Sequence, residues 1–240
     1  MTLNRESLRV KIFVDCADLE TIRRMALLPW VAGFTTNPTL MRQAGVTDYA
    51  RYGPKASQAA AGKPISFEVV ADDLGEMKRQ ATVMELAWGT NAVVKIPIST
   101  TAGESTLPLV RSLTARGQSI NVTAVMTLTQ IRQASDAQVL AEPFYISVFA
   151  GRIADTGRDP IPIVSAGLEL IRPYPWQHLI WASTREVWNV AQADALGCDI
   201  ITVTPALFAK LPQLGKDVTQ LSRETVQMFH DDAQAAGLTL

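Results

Sequence analysis

The sequence is dominated by eight short apolar runs, each followed by an amphipathic stretch bounded by turn residues. The runs occupy residues 11–17, 32–38, 64–71, 92–99, 119–126, 143–150, 178–184 and 199–205. Strand-like runs that alternate with helical stretches indicate repeated βα units on a parallel sheet. This pattern restricts the chain to a few α/β architectures.

Eight βα units close naturally into a barrel, and an open, doubly wound sheet is the alternative. An open sheet of that kind often carries a glycine-rich nucleotide loop. No G-x-G-x-x-G follows the first run, and no Walker glycine loop or low-complexity linker is present in the sequence. We therefore expect residues 1–240 to form one domain, a single (β/α)8 TIM barrel of the α/β class.

The helical stretches have recognisable ends. Asp18 is a plausible N-cap for the helix that follows the first run, and Gly117 and Gly197 lie where a glycine would end a helix. Residues 217–236 predict an extra C-terminal helix beyond the eighth unit, because apolar residues recur there at roughly helical spacing. This helix would either plug the barrel or pack on a neighbouring subunit.

The charge and cysteine content exclude several classes of protein. The 22 Lys and Arg against 23 Asp and Glu provide no basic field, so we expect no nucleic-acid or membrane partner and favour a small anion. Cys16 and Cys198 have no metal-ligand spacing and are expected to be free thiols of a reducing compartment. The first ten residues lack a signal-peptide pattern, which favours a cytoplasmic location.

One lysine, Lys95, stands inside the apolar run at 92–99. A lysine on such a strand either extends to the surface or lies in an apolar pocket. The pocket would disfavour the charged ammonium and favour the neutral amine, which is nucleophilic and can form a Schiff base. A strand-end lysine that reaches solvent is the alternative.

Polar residues follow or interrupt most of the other runs. In a βα barrel the active site lies at the carboxyl ends of the strands, so these residues are expected to converge there. They are Asp15, Thr36, Asn37, Glu68, Asn121, Thr123, Ser147, Arg152, Ser183 and Arg185. Two acids and a lysine at one mouth form a coupled set suited to imine and proton-transfer chemistry.

Some of these residues also have structural interpretations. Asp15 could cap the first helix, Glu68 could pair with an arginine of the barrel, and Asn37 could cap the second helix. His178 and His230 are expected to be structural, and no metal site is predicted.

The sequence resembles the transaldolases, in particular the short-chain group that includes the fructose 6-phosphate aldolases. The resemblance covers almost the whole chain and rests on the segments FVDCADLE, GFTTNPTL, FEVVA, VVKIPIS, NVTAV, ISVFAGRI and WASTR. It implies a circularly permuted class I aldolase barrel that moves a dihydroxyacetone unit between sugar phosphates, without a cofactor, in the pentose phosphate pathway.

The resemblance also implies a role for each matching residue. Lys95 would form the Schiff base, Asp15 would act as the base, and Glu68 and Thr123 would hold and activate a water. The dihydroxyacetone hydroxyls would be bound by Asn37, Asn121 and Ser147, next to Thr36 and Phe149, and the substrate phosphate by Arg152, Ser183 and Arg185. Cys16 and Val148 depart from the family pattern without touching this chemistry.

Three functions remain open at this point. Glu68 and Phe149 match the transaldolase branch, whereas the aldolase branch, which releases free dihydroxyacetone, tends to carry glutamine and tyrosine there. A sugar-phosphate-binding barrel without turnover is the third possibility. The resemblance further implies a homo-oligomer, a pentamer or decamer in which the helix at 217–236 reaches a neighbouring subunit.

Overall fold

A computed structural model of the protein describes residues 7–238. Within these residues, eight parallel strands pair in chain order and close into a barrel, which confirms the predicted (β/α)8 fold. The strands are Lys11–Asp15 (β1), Val31–Thr35 (β2), Ile65–Glu68 (β3), Ala92–Pro97 (β4), Ile120–Val125 (β5), Phe144–Val148 (β6), Gln177–Trp181 (β7) and Ile200–Val203 (β8). Each predicted run overlaps one strand.

The helices surround the barrel, and some units carry more than one. They are Leu19–Ala26 (α1), Pro38–Gln43 (α2), Tyr49–Ala59 (α3), Leu74–Ala87 (α4), Leu107–Thr114 (α5), Leu128–Asp136 (α6), Ala150–Ala154 (α7), Ile161–Ile171 (α8), Trp188–Leu196 (α9), Pro205–Phe208 (α10) and Val218–Ala235 (α11). The strands are shorter than the predicted runs because the last residues of several runs already turn into the loops that form the mouth of the barrel.

Short polar side chains and glycines set the helix ends. Asp18 caps α1 as predicted, since its Oδ1 accepts a hydrogen bond from the Thr21 amide at 2.8 Å. Gly197 has a φ of 71° at the end of α9, and Gly117 has a φ of 80° after α5. Both glycines adopt the left-handed conformation that ends a helix.

The floor of the barrel interior is apolar. Phe13, Val93 and Tyr145 belong to one interior cluster with Ile180, Ala182 and Ile200. Because side chains alternate along a strand, each of the first three points to the same side as the predicted site residue two positions later. Gly33 leaves room for the Phe13 ring, since a Cβ there would lie 2.6 Å from Phe13 Cζ. The floor closes the barrel beneath the polar residues.

The C-terminal helix α11 is present as predicted but does not plug the barrel. None of its residues is buried, and Val226 and Phe229 are 65% and 62% exposed. Its apolar stripe is therefore uncovered in the single chain. Across residues 7–238, no helix combines the length and the apolar content that crossing a bilayer requires.

Candidate active site

Lys95 lies inside the barrel on β4 and is only 4% exposed. The strand-end alternative is therefore wrong. Its Nζ donates to the Thr36 carbonyl oxygen at 3.0 Å and lies 3.1 Å from Glu68 Oε2. The immediate surroundings of the amine are thus polar rather than purely apolar, because an acceptor and a carboxylate replace the water that burial removes.

Glu68 is brought to Lys95 by strand register. The two residues are paired on the adjacent strands β3 and β4, so their side chains enter the barrel at the same level. The predicted alternative, an ion pair between Glu68 and an arginine of the barrel, is not found among the residues described, whereas the pair with Lys95 is. A carboxylate at this distance can accept a proton from the amine.

Asp15 ends β1 and lines a cavity that Lys95 also lines. Its Oδ1 accepts a hydrogen bond from Thr35 Oγ1 at 2.9 Å. Burial raises the pKa of Asp15 above its usual value, and the nearby positive charge of Lys95 opposes that rise only in part. Asp18, not Asp15, caps the following helix, so Asp15 is left free for another role.

Thr36 is fully buried and lies behind the site. Its Oγ1 donates to the Ser66 carbonyl oxygen at 3.0 Å, and its own carbonyl oxygen accepts from Lys95. The mouth of the barrel contains two cavities, and Thr36 lines neither. The structure therefore places it as a support for Lys95 rather than as a wall of the cavity.

Asn121 and Ser147 form a buried hydrogen-bond chain with Ser66. Ser147 Oγ donates to Asn121 Oδ1 at 2.8 Å, and Asn121 Nδ2 donates to Ser66 Oγ at 3.0 Å. The sequence analysis missed Ser66. It could have been found from its position two residues before Glu68, which places both side chains on the inner side of β3.

Thr123 lies on β5, in register with Pro97 of β4. It is fully buried, and its Oγ1 has no hydrogen-bond partner among residues 7–238. Ala124, the next residue, has a φ of 58°, where the ladder between β5 and β6 is irregular. A buried hydroxyl without a protein partner is available to a water or a substrate oxygen.

Two adjoining cavities open at the carboxyl ends of the strands. The inner one, about 80 Å³, is lined by Lys95 and Ser147, and the outer one, about 380 Å³, by Glu68 and Arg185. They share Asp15, Asn37, Phe149, Arg152, Ser183 and Thr202. A ligand that spans both would have one end at the amine and the other at the arginines.

Asn37 combines the two roles that the sequence left open. Its Oδ1 accepts from the Leu40 amide at 3.0 Å and so caps α2, while the residue also lines both cavities. Thr202, on β8, was not predicted although it lines both cavities as well. A threonine is ordinary in a strand, so its residue type gave no signal. Only the alternation of side chains along β8 indicates that Thr202 points into the barrel.

The arginines at the mouth come from the loops after β6 and β7. The Arg152 guanidinium lies over the Phe149 ring, 5.4 Å from its centroid. Arg185 pairs with Asp155. Ser183, which lines both cavities, has a φ of 64°. A serine rarely adopts the left-handed backbone conformation, and residues in such conformations cluster at functional sites. The position of Ser183 at the cavity agrees with this tendency.

Other features of the described residues lie away from this mouth. A cleft of about 520 Å³ runs along α1 and residues 44–55, and none of the predicted site residues lines it. His178 Nδ1 lies 3.7 Å from Asp199 Oδ1, and His230 is on α11. Within residues 7–238, no three His, Cys, Asp or Glu side chains are grouped as a metal site would require.

Comparisons of this sequence with a family model and with known proteins agree on one family. Residues 12–240 match the model of the family described as Transaldolase/Fructose-6-phosphate aldolase. A "Probable transaldolase" of Lactiplantibacillus plantarum is 36% identical over 203 residues, which cover 84% of this chain and 88% of that protein. A "Probable transaldolase" of Dehalococcoides mccartyi is 31% identical over 206 residues, covering 85% and 91%.

A solved structure is similar in fold. The dihydrodipicolinate synthase of Rhodopseudomonas palustris superimposes with a TM-score of 0.58 and 14% sequence identity, over 97% of this chain and 82% of that one. At this identity the likeness concerns the barrel alone.

Proposed function

Since this chain belongs to the transaldolase/fructose-6-phosphate aldolase family, we propose that it transfers a dihydroxyacetone unit from a ketose phosphate to an aldose phosphate. The observation that carries the proposal is the buried Lys95 amine, 3.1 Å from Glu68, in an inner cavity that shares Arg152 with an adjoining outer cavity lined by Arg185. A nucleophilic amine and two arginines thus line adjoining spaces that one sugar phosphate can occupy.

The chemistry begins with attack of the Lys95 amine on the ketone carbon of the donor. The attacking amine must be neutral, and Glu68 is placed to take its proton. Loss of the ketone oxygen as water gives an iminium, which accepts the electron pair of the bond between C3 and C4 when that bond breaks. Glu68 and the unpartnered hydroxyl of Thr123 are suited to hold the departing water.

Cleavage of that bond also requires a base for the C4 hydroxyl proton, and we assign this role to Asp15. Burial raises the pKa of Asp15, which makes its carboxylate a stronger base than an exposed aspartate. The aldose phosphate leaves, and the enamine that stays on Lys95 attacks the carbonyl carbon of a second aldose phosphate. The same proton then returns from Asp15 to the new hydroxyl, and addition of water to the resulting iminium releases the new ketose phosphate from Lys95.

Asn37 and Ser147 are suited to bind the hydroxyls of the dihydroxyacetone unit, and Asn121 is suited to orient Ser147. Asn37 and Ser147 line the inner cavity, and Asn121 holds Ser147 through its amide oxygen. At the other end, Arg152, Ser183 and Arg185 line the outer cavity as an anion site. A guanidinium can bind two oxygens of one phosphate, so two arginines can hold the group firmly.

An aldolase that releases dihydroxyacetone is the competing function. That reaction must protonate the enamine carbon before water frees dihydroxyacetone, whereas the residue at the cavity wall here is Phe149, which has no hydroxyl to relay that proton. Its ring is also covered by Arg152. Glu68 and Phe149 together therefore favour transfer over hydrolysis.

Borohydride trapping tests this proposal. Fructose 6-phosphate and borohydride should leave a reduced three-carbon or six-carbon adduct on Lys95, detected by peptide mass spectrometry. Lys95→Met should give no adduct and no turnover while keeping the circular dichroism of the wild type, because methionine fills a similar volume. If the wild-type chain stays unmodified, the function that remains is sugar-phosphate binding without turnover. If dihydroxyacetone is released faster than it is transferred, the aldolase function is favoured.

We also infer a setting for this activity. Sugar phosphate exchange of this kind belongs to the pentose phosphate pathway, so we expect a cytoplasmic enzyme with no nucleic-acid or membrane partner. We further expect a homo-oligomer, a pentamer or decamer, because the apolar stripe of α11 is uncovered in the single chain. The stripe would pack on a neighbouring subunit.

A further inference from the structure

One acid at the mouth of the barrel, Asp155, has no role in the mechanism above. It follows α7, three residues after Arg152, and pairs with Arg185 from the loop after β7. Asp155 lines neither cavity, whereas Arg185 lines the outer one. The carboxylate therefore contacts the arginine from outside the space that a substrate would fill.

The contact uses one edge of the guanidinium. Arg185 Nε donates to Asp155 Oδ1 at 3.0 Å, and Nη2 donates to Oδ2. Among residues 7–238, Nη1 of Arg185 has no hydrogen-bond partner, which leaves the second edge of the group open. A guanidinium has two such edges, so a carboxylate and a phosphate can share it.

Arg185 is held at its backbone as well. Its amide donates to Asn189 Oδ1 at 3.0 Å. The loop that carries it is pressed against α7, since a Cβ on Gly151 would lie only 1.7 Å from the Ser183 carbonyl oxygen. The ion pair thus connects two segments that are already in contact. Asp155 holds the guanidinium of Arg185, while Asn189 holds the backbone of the same residue.

A contribution to folding does not explain this pair. The side chains of Arg185 and Asp155 are 46% and 53% exposed, and exposed ion pairs contribute little to stability. Arg185 keeps the pKa of Asp155 below its usual value, so the carboxylate stays ionised and paired near neutral pH.

We propose that Asp155 is a positioning residue that holds Arg185 in the orientation needed to bind a substrate phosphate; this rests on the proposed function. A long arginine side chain that is ordered before binding loses less conformational freedom when the phosphate arrives. The opposite effect, repulsion between the carboxylate and the phosphate, is weakened because water screens the exposed pair. If positioning dominates, removal of the Asp155 carboxylate lowers the affinity for a phosphorylated substrate. If repulsion dominates, the same removal raises that affinity.

The test compares Asp155→Ala and Asp155→Asn with the wild type in the full chain. Acceptors would be erythrose 4-phosphate and erythrose, with fructose 6-phosphate as donor at a fixed, saturating concentration. Asp155→Ala should raise KM for the phosphorylated acceptor about three- to tenfold, the range for immobilising one long side chain. Its kcat and the KM for erythrose should stay within about twofold of the wild type, and Asp155→Asn should lie between the two.

Glu169→Ala is the matched control, because Glu169, on the outer helix α8, forms a similarly exposed pair with Arg172 at the end of that helix. It should leave every kinetic constant unchanged. A binding measurement separates this inference from the proposed function: the dissociation constant of inorganic phosphate, from ³¹P line broadening, should rise in Asp155→Ala but not in Glu169→Ala.

The outcomes are distinct. A wild type that binds phosphate but shows no transfer contradicts the proposed function, while weaker phosphate binding by Asp155→Ala would still support the positioning role. An unchanged or tighter phosphate constant in Asp155→Ala, an equal KM increase for both acceptors, or no phosphate binding by the wild type would each overturn the inference.

Discussion

Gly151→Ala should disable the anion end of the site without unfolding the barrel. Gly151 is the second residue of α7, directly before Arg152. A Cβ at this position would lie 1.7 Å from the Ser183 carbonyl oxygen and 3.2 Å from Arg185 Cγ. The first contact is with backbone, which cannot rotate away as a side chain can.

The structure sets the size of the effect. Ordinary contact for a Cβ begins near 3.4 Å, so the two segments must separate by about 1.7 Å. That movement separates Arg152 from Ser183 and Arg185, and a misplacement of about 1 Å at a site can lower activity about a hundredfold. We therefore expect kcat/KM for phosphorylated substrates to fall about a hundredfold.

The stability change should be much smaller. Overpacking costs about 1–3 kcal/mol, and alanine recovers up to about 1 kcal/mol over glycine in a helix. The net loss of roughly 1 kcal/mol corresponds to a decrease in Tm of about 2–4 °C for a chain of this size. Activity and stability should thus separate clearly.

Gly167→Ala on α8 is the control for this prediction. Its Cβ would also be crowded, 2.8 Å from Ile131 Cδ1 and 2.9 Å from Leu179 Cδ1, but these are side-chain ends away from the mouth. It should lower Tm by a similar amount and leave kcat/KM unchanged. Steady-state kinetics and thermal unfolding of both variants would refute the reasoning if Gly151→Ala kept kcat/KM within about threefold of Gly167→Ala.

Three further changes test other parts of the molecule. Asp15→Asn should slow cleavage far more than it slows trapping on Lys95. Burial raises the folded-state pKa of Asp15 above 3.8, so its contribution to stability is present at low pH and is lost as pH rises. This variant should therefore raise Tm near neutral pH but not below about pH 3.8. Equal Tm shifts at both pH values would contradict this. Arg185→Ala should raise KM for phosphorylated substrates about ten- to hundredfold and spare unphosphorylated analogues; equal losses would make Arg185 structural. Ending the chain after Gly215 should dissolve the expected oligomer in light scattering yet keep the barrel's circular dichroism, and an unchanged mass would count against α11 as the contact.

The sequence predicted the barrel because its signals are local and repeated. Eight apolar runs, a capping Asp18 and glycines such as Gly197 at helix ends depend on periodicity and backbone conformation, which neighbouring residues largely decide. The α11 helix was predicted for the same reason. The sequence did not predict whether the apolar stripe of α11 is exposed or lies inside the barrel, since its position depends on contacts with residues far away in the chain.

Residue type and strand position were enough to predict most of the polar residues that line the mouth. Lys95 and Asp15 interrupt apolar runs, and a charge on a buried strand has few purely structural explanations. Ser66 and Thr202 escaped notice because a small hydroxyl residue in a strand is ordinary, and only barrel closure turns it toward the site.

Pairing was decided by the tertiary structure alone. Strand register set Glu68 against Lys95, and contact between two loops set Asp155 against Arg185, 30 residues apart. Such partners are chosen by distance and direction in space, and sequence spacing carries no information about either once the chain has passed through a strand and a helix. The sequence therefore determined which groups are present at the mouth, and the closed barrel determined which of them hydrogen-bond and which remain open to a ligand.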